Sequence, residues 1–352
     1  MKNLLLLLLS TFSFTFLFGQ QPYYDDVNLE LIGMDLKTEL SNKITNTHTH
    51  NLSYSQVWSA LKIMDLNPEG GNNVLLMYGY DDDDGNVTTD RTRNKSNNGG
   101  DNGEWNREHT YPKALGQPNL GTSGPGADAH MLRPCDVQRN SQRGSKRFNV
   151  GSGHSGVVSS FYWYPGDEWK GDIARMMMYM YLRYGDQCLP KNVGIGTPVE
   201  NDADMIDLFL QWNIEDPVSA FEETRNDYMG NASNTYAQGN RNPFIDNPYL
   251  ATLIWGGDAA EDIWDIFVSV EAPILEKFVQ ISPNPSKGSF SIQTTIDLTI
   301  ESITLYTTSG QVVQHKNYPD PTIVTLETST AGLYFLQLVS DKGIVMKKII
   351  IE

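Results

Sequence analysis

From about residue 279 the spacing of apolar residues changes. Upstream they recur at intervals of three and four, as in "LELIGMDLKTELSNKI" and "YSQVWSALKIMDL". Downstream they alternate, as in "SITLYTTSGQVVQ" and "GLYFLQLVSDKGIVMKKIIIE". A helix repeats every 3.6 residues and a strand every two, so one amphipathic face cannot satisfy both patterns. The chain therefore predicts two units of an α+β protein. Residues 20–275 form a mostly helical domain. Residues 276–352 form a small all-β sandwich, its strands separated by Pro-Asn-Pro, Ser-Gly and Asp-Lys-Gly turns. A length of 352 residues suits two domains.

Residues 1–19 read as a secretory signal peptide: Lys2, an apolar run over 4–18, then the small Gly19. That run is too short for a comfortable membrane span, and no later stretch approaches spanning length. The expected product is an exported, soluble monomer without a transmembrane segment. Cys135 and Cys188 are the only cysteines, which leaves one bridge or two buried thiols open. The net charge of −17 argues against a broad cationic grip on a polyanion. One exception is local: residues 131–150 carry five Lys or Arg against a single Asp.

Several elements follow from local pattern. Residues 74–80 predict a strand, and the polar, Gly- and Asn-rich residues 85–104 a loop, either a lid or an inert connection. "DVQRNSQRGSKR" predicts a short helix. A longer helix is expected in "YPGDEWKGDIARMMMYMYLRYG", capped by Asp167, stopped at Gly185, and packed through one stripe of Ile173, Met176, Met177, Met180 and Tyr184. Two more helices are expected in "ADMIDLFLQWNIED" and "PVSAFEETRNDYM".

The stretch "NREHTYPK" places Glu108 beside His109 in a chain with six histidines. Hydrolysis of a phosphodiester needs a base for the attacking water, and histidine suits that task near neutral pH. A divalent ion can neutralise the phosphate, and a hard ion takes carboxylate and amide oxygens. Glu108 and Asn140 could supply those oxygens. Arg139, Arg143, Lys146 and Arg147 crowd the same segment as Asn140 and could hold phosphates. Adjacent residues on a regular strand face opposite ways. A joint role for Glu108 and His109 therefore predicts an irregular or terminal strand position. Weaker candidates are His48 and His50 as an H-x-H pair, the acidic run Asp81–Asp84, and Tyr162, Trp163, Tyr164 and Trp169 as base-stacking groups. Each reads better as packing or as a solvated turn, and His154 as a loop histidine.

"EWNREHTYPKALG", "DAHMLRPCDVQRNSQRGSKRF", "YPGDEWKGDIARMMMYMYLRYG" and "QGNRNPFIDNPYLATLIW" stand in the order found in the secreted endonuclease I family, which the chain resembles over about residues 50–256. The resemblance implies a ββα-metal, or His-Me, finger embedded in a mostly helical nuclease domain. It makes His109 the general base and Glu108 and Asn140 the ligands of one Mg²⁺, with Mn²⁺ or Ca²⁺ as possible substitutes. It gives Arg143 a catalytic contact to phosphate or a brace for the helix. Asp128 and His130 become supports of the finger, and Arg241 a cleft residue. With Arg133, Arg139 and Arg147 added from the basic segment, DNA or RNA would be cut to leave 5′-phosphates. The leaving-group arginine does not align. "ISPNPSKGSFSI" and "AGLYFLQLVSDKGIVMKKIIIE" resemble the type IX secretion sorting domain of the Bacteroidetes, which implies that the export machinery is a partner. The rivals are a non-catalytic surface protein that binds DNA or glycan, and a ribonuclease with little action on DNA.

Overall fold

Two short stripes organise the first layer of the fold. α1 (Gly33–Thr47) buries Leu36, Leu40 and Ile44, one face at a spacing of four. α2 (Tyr54–Met64) opens with a capping box in which Ser53 accepts from the Gln56 amide and the Gln56 side chain accepts from the Ser53 amide. The computed structural model describes residues 22–264, 275–294, 298–317, 326–327, 330–341 and 343–352. The expected signal peptide lies outside the described residues.

The expected strand over 74–80 is cut to β1 (Asn73–Leu75), paired with β2 (Thr92–Asn94). The chain then turns, with Tyr78 at φ +70° and Gly79 packed where a Cβ would collide with the Asp90 backbone. The loop expected over 85–104 thus contains a strand, and it is tied down. Arg93 Nη1 donates to Asp136 at 2.6 Å and to the Glu104 carbonyl at 3.0 Å. The acidic run closes its own turn: Asp81, Asp82 and Asp84 all accept from nearby backbone amides.

β3 (Trp105–His109) pairs with β4 (Leu132–Asp136) in antiparallel register, and α3 (Val137–Arg143) follows β4 directly. β5 (Arg147–Phe148) and β6 (Gly156–Ser159) flank β7 (Tyr162–Tyr164) in a three-stranded sheet. α4 (Lys170–Tyr184) is the central helix, and twelve of its fifteen residues are buried, so the expected single stripe is corrected to burial on every side. Asp167 does not cap it. The N-cap is Trp169, while Asp167 accepts from the Gly153 amide and the Tyr164 hydroxyl. Gly185 does end it, at φ +53°, which favours glycine. α5 (Pro190–Val193) follows, then the pair β8 (Pro198–Val199) and β9 (Asp202–Ile206), where a longer helix was expected. α6 (Asp207–Glu215), α7 (Ala220–Gly230), α8 (Pro243–Asp246) and α9 (Tyr249–Trp255) complete this part.

Charged groups as well as apolar ones hold the centre. Arg133 donates to Asp65 at 2.8 Å and to Asp172 at 2.9 Å, and Arg225 reaches the same Asp65 oxygen at 3.1 Å. Arg175 grips Glu222 with two bonds of 2.7 and 2.8 Å. All six side chains are buried. Cys135 and Cys188 are buried free thiols.

The C-terminal part carries two antiparallel sheets. β10 (Val279–Ser282), β11 (Ser289–Thr294) and β14 (Leu326–Glu327) form one. β12 (Ile300–Thr307), β13 (Val312–Asn317), β15 (Gly332–Ser340) and β16 (Gly343–Ile351) form the other, in the order β13-β12-β15-β16. Tyr334, Leu336, Leu338 and Ser340 are buried on β15 at a spacing of two. Among the described residues no helix is long and apolar enough to cross a membrane.

Candidate active site

β3, β4 and α3 form a ββα unit. Asp136 ends β4 and accepts from the amides of Gln138 and Arg139, so the strand hands its last side chain to the helix as a cap. The β3–β4 register shows no shift, and His109 is the last residue of β3. Glu108 and His109 therefore sit at the terminal position that a joint role requires. Together with Asn140, Arg107, Lys113 and Ser145 they border one open pocket.

Glu108 is 2% exposed. Its Oε1 accepts from the Tyr78 hydroxyl at 3.1 Å and lies 3.2 Å from Arg143 Nη1. Burial pushes the carboxyl up to about 7, against the pull of Arg143 and Tyr78. The backbone of His109 also stabilises the carboxylate by a hydrogen bond. Asn140 donates its amide nitrogen to Asn106 Oδ1 at 2.7 Å, which leaves its own oxygen unengaged. The Glu108 carboxylate and the Asn140 amide, both carrying oxygens of hard-ligand type, thus border one pocket. Among the described residues no cluster of three or more His, Cys, Asp or Glu forms a closed metal cage. A Mg²⁺ ion that keeps most of its waters needs only one or two protein oxygens, so these residues fit such an ion.

His109 Nε2 lies 2.9 Å from the Gly126 carbonyl. A carbonyl can only accept, so Nε2 carries the proton and Nδ1 is left with a lone pair. Burial holds the imidazole down at about 4, with Lys113, Arg107 and Arg143 adding to the shift and the Gly126 carbonyl opposing it. The ring is neutral at physiological pH. Gly126 itself must be glycine, since a Cβ there would collide with the Gly121 backbone.

A ladder that sequence reading missed fixes this face of β3. Trp105, Arg107 and His109 point the same way, as alternate strand residues do. Tyr54 and Trp58, one turn apart on α2, interleave with them. The Trp58 and Trp105 rings are 4.9 Å apart, Arg107 lies 4.4 Å over Trp58 and 3.5 Å over Tyr54, and Tyr54 stacks on His109 at 5.5 Å. The periodicities of 54/58 and 105/107/109 are visible in the sequence; their meeting is not.

The arginines need correction. Arg143, expected as a catalytic contact to phosphate or as a brace for the helix, is fully buried and braces the end of β3, donating to the carbonyls of His109 and Thr110 at 3.0 and 2.7 Å. Arg133, expected on substrate, is 1% exposed and belongs to the central ion-pair cluster. Arg139 is buried over the Trp163 ring and donates to Ser155. Arg241 is clamped on Asp246 at 2.8 Å and on Asp227 at 2.7 Å, away from the pocket. Arg147 is exposed and forms no ion pair among the described residues. Trp163, Tyr164 and Trp169 are core and Tyr162 is half-buried. His48 accepts from Arg183 at 3.3 Å, and His154 stacks on Tyr80.

Asp128 and His130 anchor the segment that carries Gly126. Asp128 accepts from the hydroxyls of Tyr179 and Tyr184, both at 2.8 Å, and from the His130 amide. His130 donates from Nε2 to the Asn240 carbonyl at 3.0 Å, and burial holds it down at about 4. This carries a testable consequence. The folded pKa of His130 lies below the unfolded value of about 6.5, so its stability contribution is present above pH ~6.5 and lost as pH falls toward 4. Glu108 acts with the opposite sign between its ordinary range and about 7, but cancels when wild type is compared with His130→Gln. Urea midpoints should show the variant gaining on wild type by up to about 1.4 kcal/mol per pH unit across that window. A constant difference would mean that His130 is not held neutral.

Residues 32–249 match the Endonuclease I family. The chain belongs to the endonuclease I family. An extracellular ribonuclease of Bacillus amyloliquefaciens is 42% identical over 245 residues, 67% of this chain and 78% of its own. An extracellular ribonuclease of Bacillus subtilis (strain 168) is 42% identical over 235 residues, 63% of this chain and 75% of its own. Residues 280–352 of this endonuclease match the secretion system C-terminal sorting domain. The endonuclease is a secreted protein.

Proposed function

We propose that this endonuclease hydrolyses phosphodiester bonds of RNA and DNA with little sequence preference, and that it depends on Mg²⁺. The observation that carries the reading is the His109–Gly126 hydrogen bond, which leaves a neutral imidazole with a bare Nδ1 on a residue that borders the same pocket as Glu108 and Asn140. Nδ1 takes the proton of the attacking water. Glu108 and Asn140 hold the ion, and Arg143 and Tyr78 fix the Glu108 carboxylate. Lys113, at the pocket rim, adds positive charge where the phosphate enters. When bound, the ion supplies neutralisation of the phosphate and of the leaving oxygen. The ββα unit is read as the metal finger. With water as nucleophile and the 3′ oxygen as leaving group, products would carry 5′-phosphates and 3′-hydroxyls.

The names of the two relatives favour RNA among the substrates. The roles given to these residues are directed at phosphate and water, chemistry that DNA shares with RNA. We further infer that the type IX secretion machinery handles residues 280–352.

The test is digestion of total RNA and of supercoiled plasmid in Mg²⁺ and in EDTA, with the ends analysed by ligation. Cleavage of both should fall at least about 100-fold in EDTA, and the ends should ligate without phosphorylation. Undiminished cleavage in EDTA, or 2′,3′-cyclic ends on RNA, would reject this chemistry.

A further inference from the structure

Phe161 is the most exposed large hydrophobic side chain among the described residues, at 74%. It stands at the turn between β6 and β7, and Val157 and Val158 on β6 are also exposed, at 55% and 46%. Leaving an aromatic ring in water forgoes the gain its burial would bring. The core aromatics of the same hairpin, Trp163 and Tyr164, show that this sheet can bury rings where the fold needs them.

The hairpin joins the pocket. The Arg147 amide donates to the Phe161 carbonyl at 3.0 Å, which joins the two backbones, with Arg147 in register with the next residue, Tyr162. Ser145, two residues before Arg147, borders the pocket. Two peptide units span no more than about 7.6 Å between Cα atoms. Arg147 is exposed and forms no ion pair among the described residues, whereas the neighbouring Lys146 donates to the Gln142 carbonyl. An exposed ring and an exposed guanidinium on hydrogen-bonded backbones, a few residues along the chain from a phosphodiester site, have the chemistry that recognises an unstacked nucleotide: base on ring, phosphate on cation. A peptide would match the apolar ring but would leave Arg147 unanswered, in a protein of net charge −17.

We propose that Phe161 is a base-stacking platform, flanked by Arg147, that binds a nucleotide next to the scissile phosphate and gives the enzyme a preference for single-stranded or locally opened substrate. This rests on the endonuclease reading above and names the substrate form. Bases in a duplex are already stacked on one another, so the platform can act only on unpaired ones.

The test compares full-chain wild type, Phe161→Ala and Phe161→Trp on one oligonucleotide sequence, as a single strand and as a duplex. Phe161→Ala should raise KM on the single strand about 5- to 150-fold, the range of one base–aromatic stack. On this reading kcat stays within about twofold, duplex KM hardly moves and Phe161→Trp restores the single-strand value. In a His109→Ala background, fluorescence anisotropy with the labelled single strand should show the same loss of affinity without any turnover. An equal change on both substrates, or no change on either, overturns the platform while leaving the endonuclease reading intact. A wild type that cleaves neither substrate overturns that reading, and this one with it. If Phe161→Ala leaves nucleic-acid binding unchanged, the patch serves a protein instead and the proposal fails.

Discussion

Replacing His109 with alanine is expected to lower kcat by about 10²–10⁴-fold, the usual contribution of a positioned general base. The protein should remain folded. The more informative variant is His109→Gln. A glutamine amide can donate to the Gly126 carbonyl as Nε2 does, so it preserves the anchor that holds the residue. It offers no basic nitrogen to the pocket. Both variants should therefore be equally slow, with KM changed much less than kcat, because the lost interaction exists only as the proton moves. Raising the pH from 6 to 8 should rescue neither. In wild type the imidazole is already neutral throughout that range, since burial holds it down at about 4. Single-turnover rates on a defined oligonucleotide would settle the matter, and wild-type speed in His109→Gln would end the assignment of the base.

Much of this architecture was legible because the determining signals are local. The helical spacing of 28–66, the stop at Gly185 and the switch from helical to alternating spacing need only neighbouring residues. Glu108, His109 and Asn140 were grouped on motif order, and the structure brings them to one pocket. The arginines were not legible. Within "MLRPCDVQRNSQRGSKR" the charges look alike, and the natural reading was a basic surface for phosphates. Their partners lie far off in the chain: Asp65 and Asp172 for Arg133, the turn at Ser155 for Arg139, two carbonyls of β3 and its exit for Arg143. A buried cation is expensive unless paired and hydrogen-bonded, and nothing local announces a pairing made across 16 to 68 residues. The helix α4 misled for a related reason. Its apolar stripe is real, but Asp172 and Arg175 are buried beside it because each has an oppositely charged partner from another element.

The same misreading gives the largest expected effect on stability. Arg133→Ala should cost about 3–5 kcal/mol, the range for removing one partner of a buried pair. It should lower Tm on the order of 10 °C in a domain of this size. Asp65 would keep Arg225 at 3.1 Å, but Asp172 would lose the only ion-pair partner it has among the described residues. Burial pushes the Asp172 carboxyl up while Arg133 pulls it down, so without Arg133 it should take up a proton rather than remain as a bare anion. The ring faces of Phe221 and Trp169, 4.8 and 5.4 Å from the guanidinium, would also face a cavity. Arg133→Lys should recover little, because one ammonium cannot reproduce a fork that reaches two carboxylates. Measured at 20 °C on folded protein, kcat/KM of the alanine variant should stay within about threefold of wild type, since no atom of Arg133 borders the pocket. An unchanged Tm with activity reduced tenfold would return Arg133 to the substrate and undo the ion-pair account.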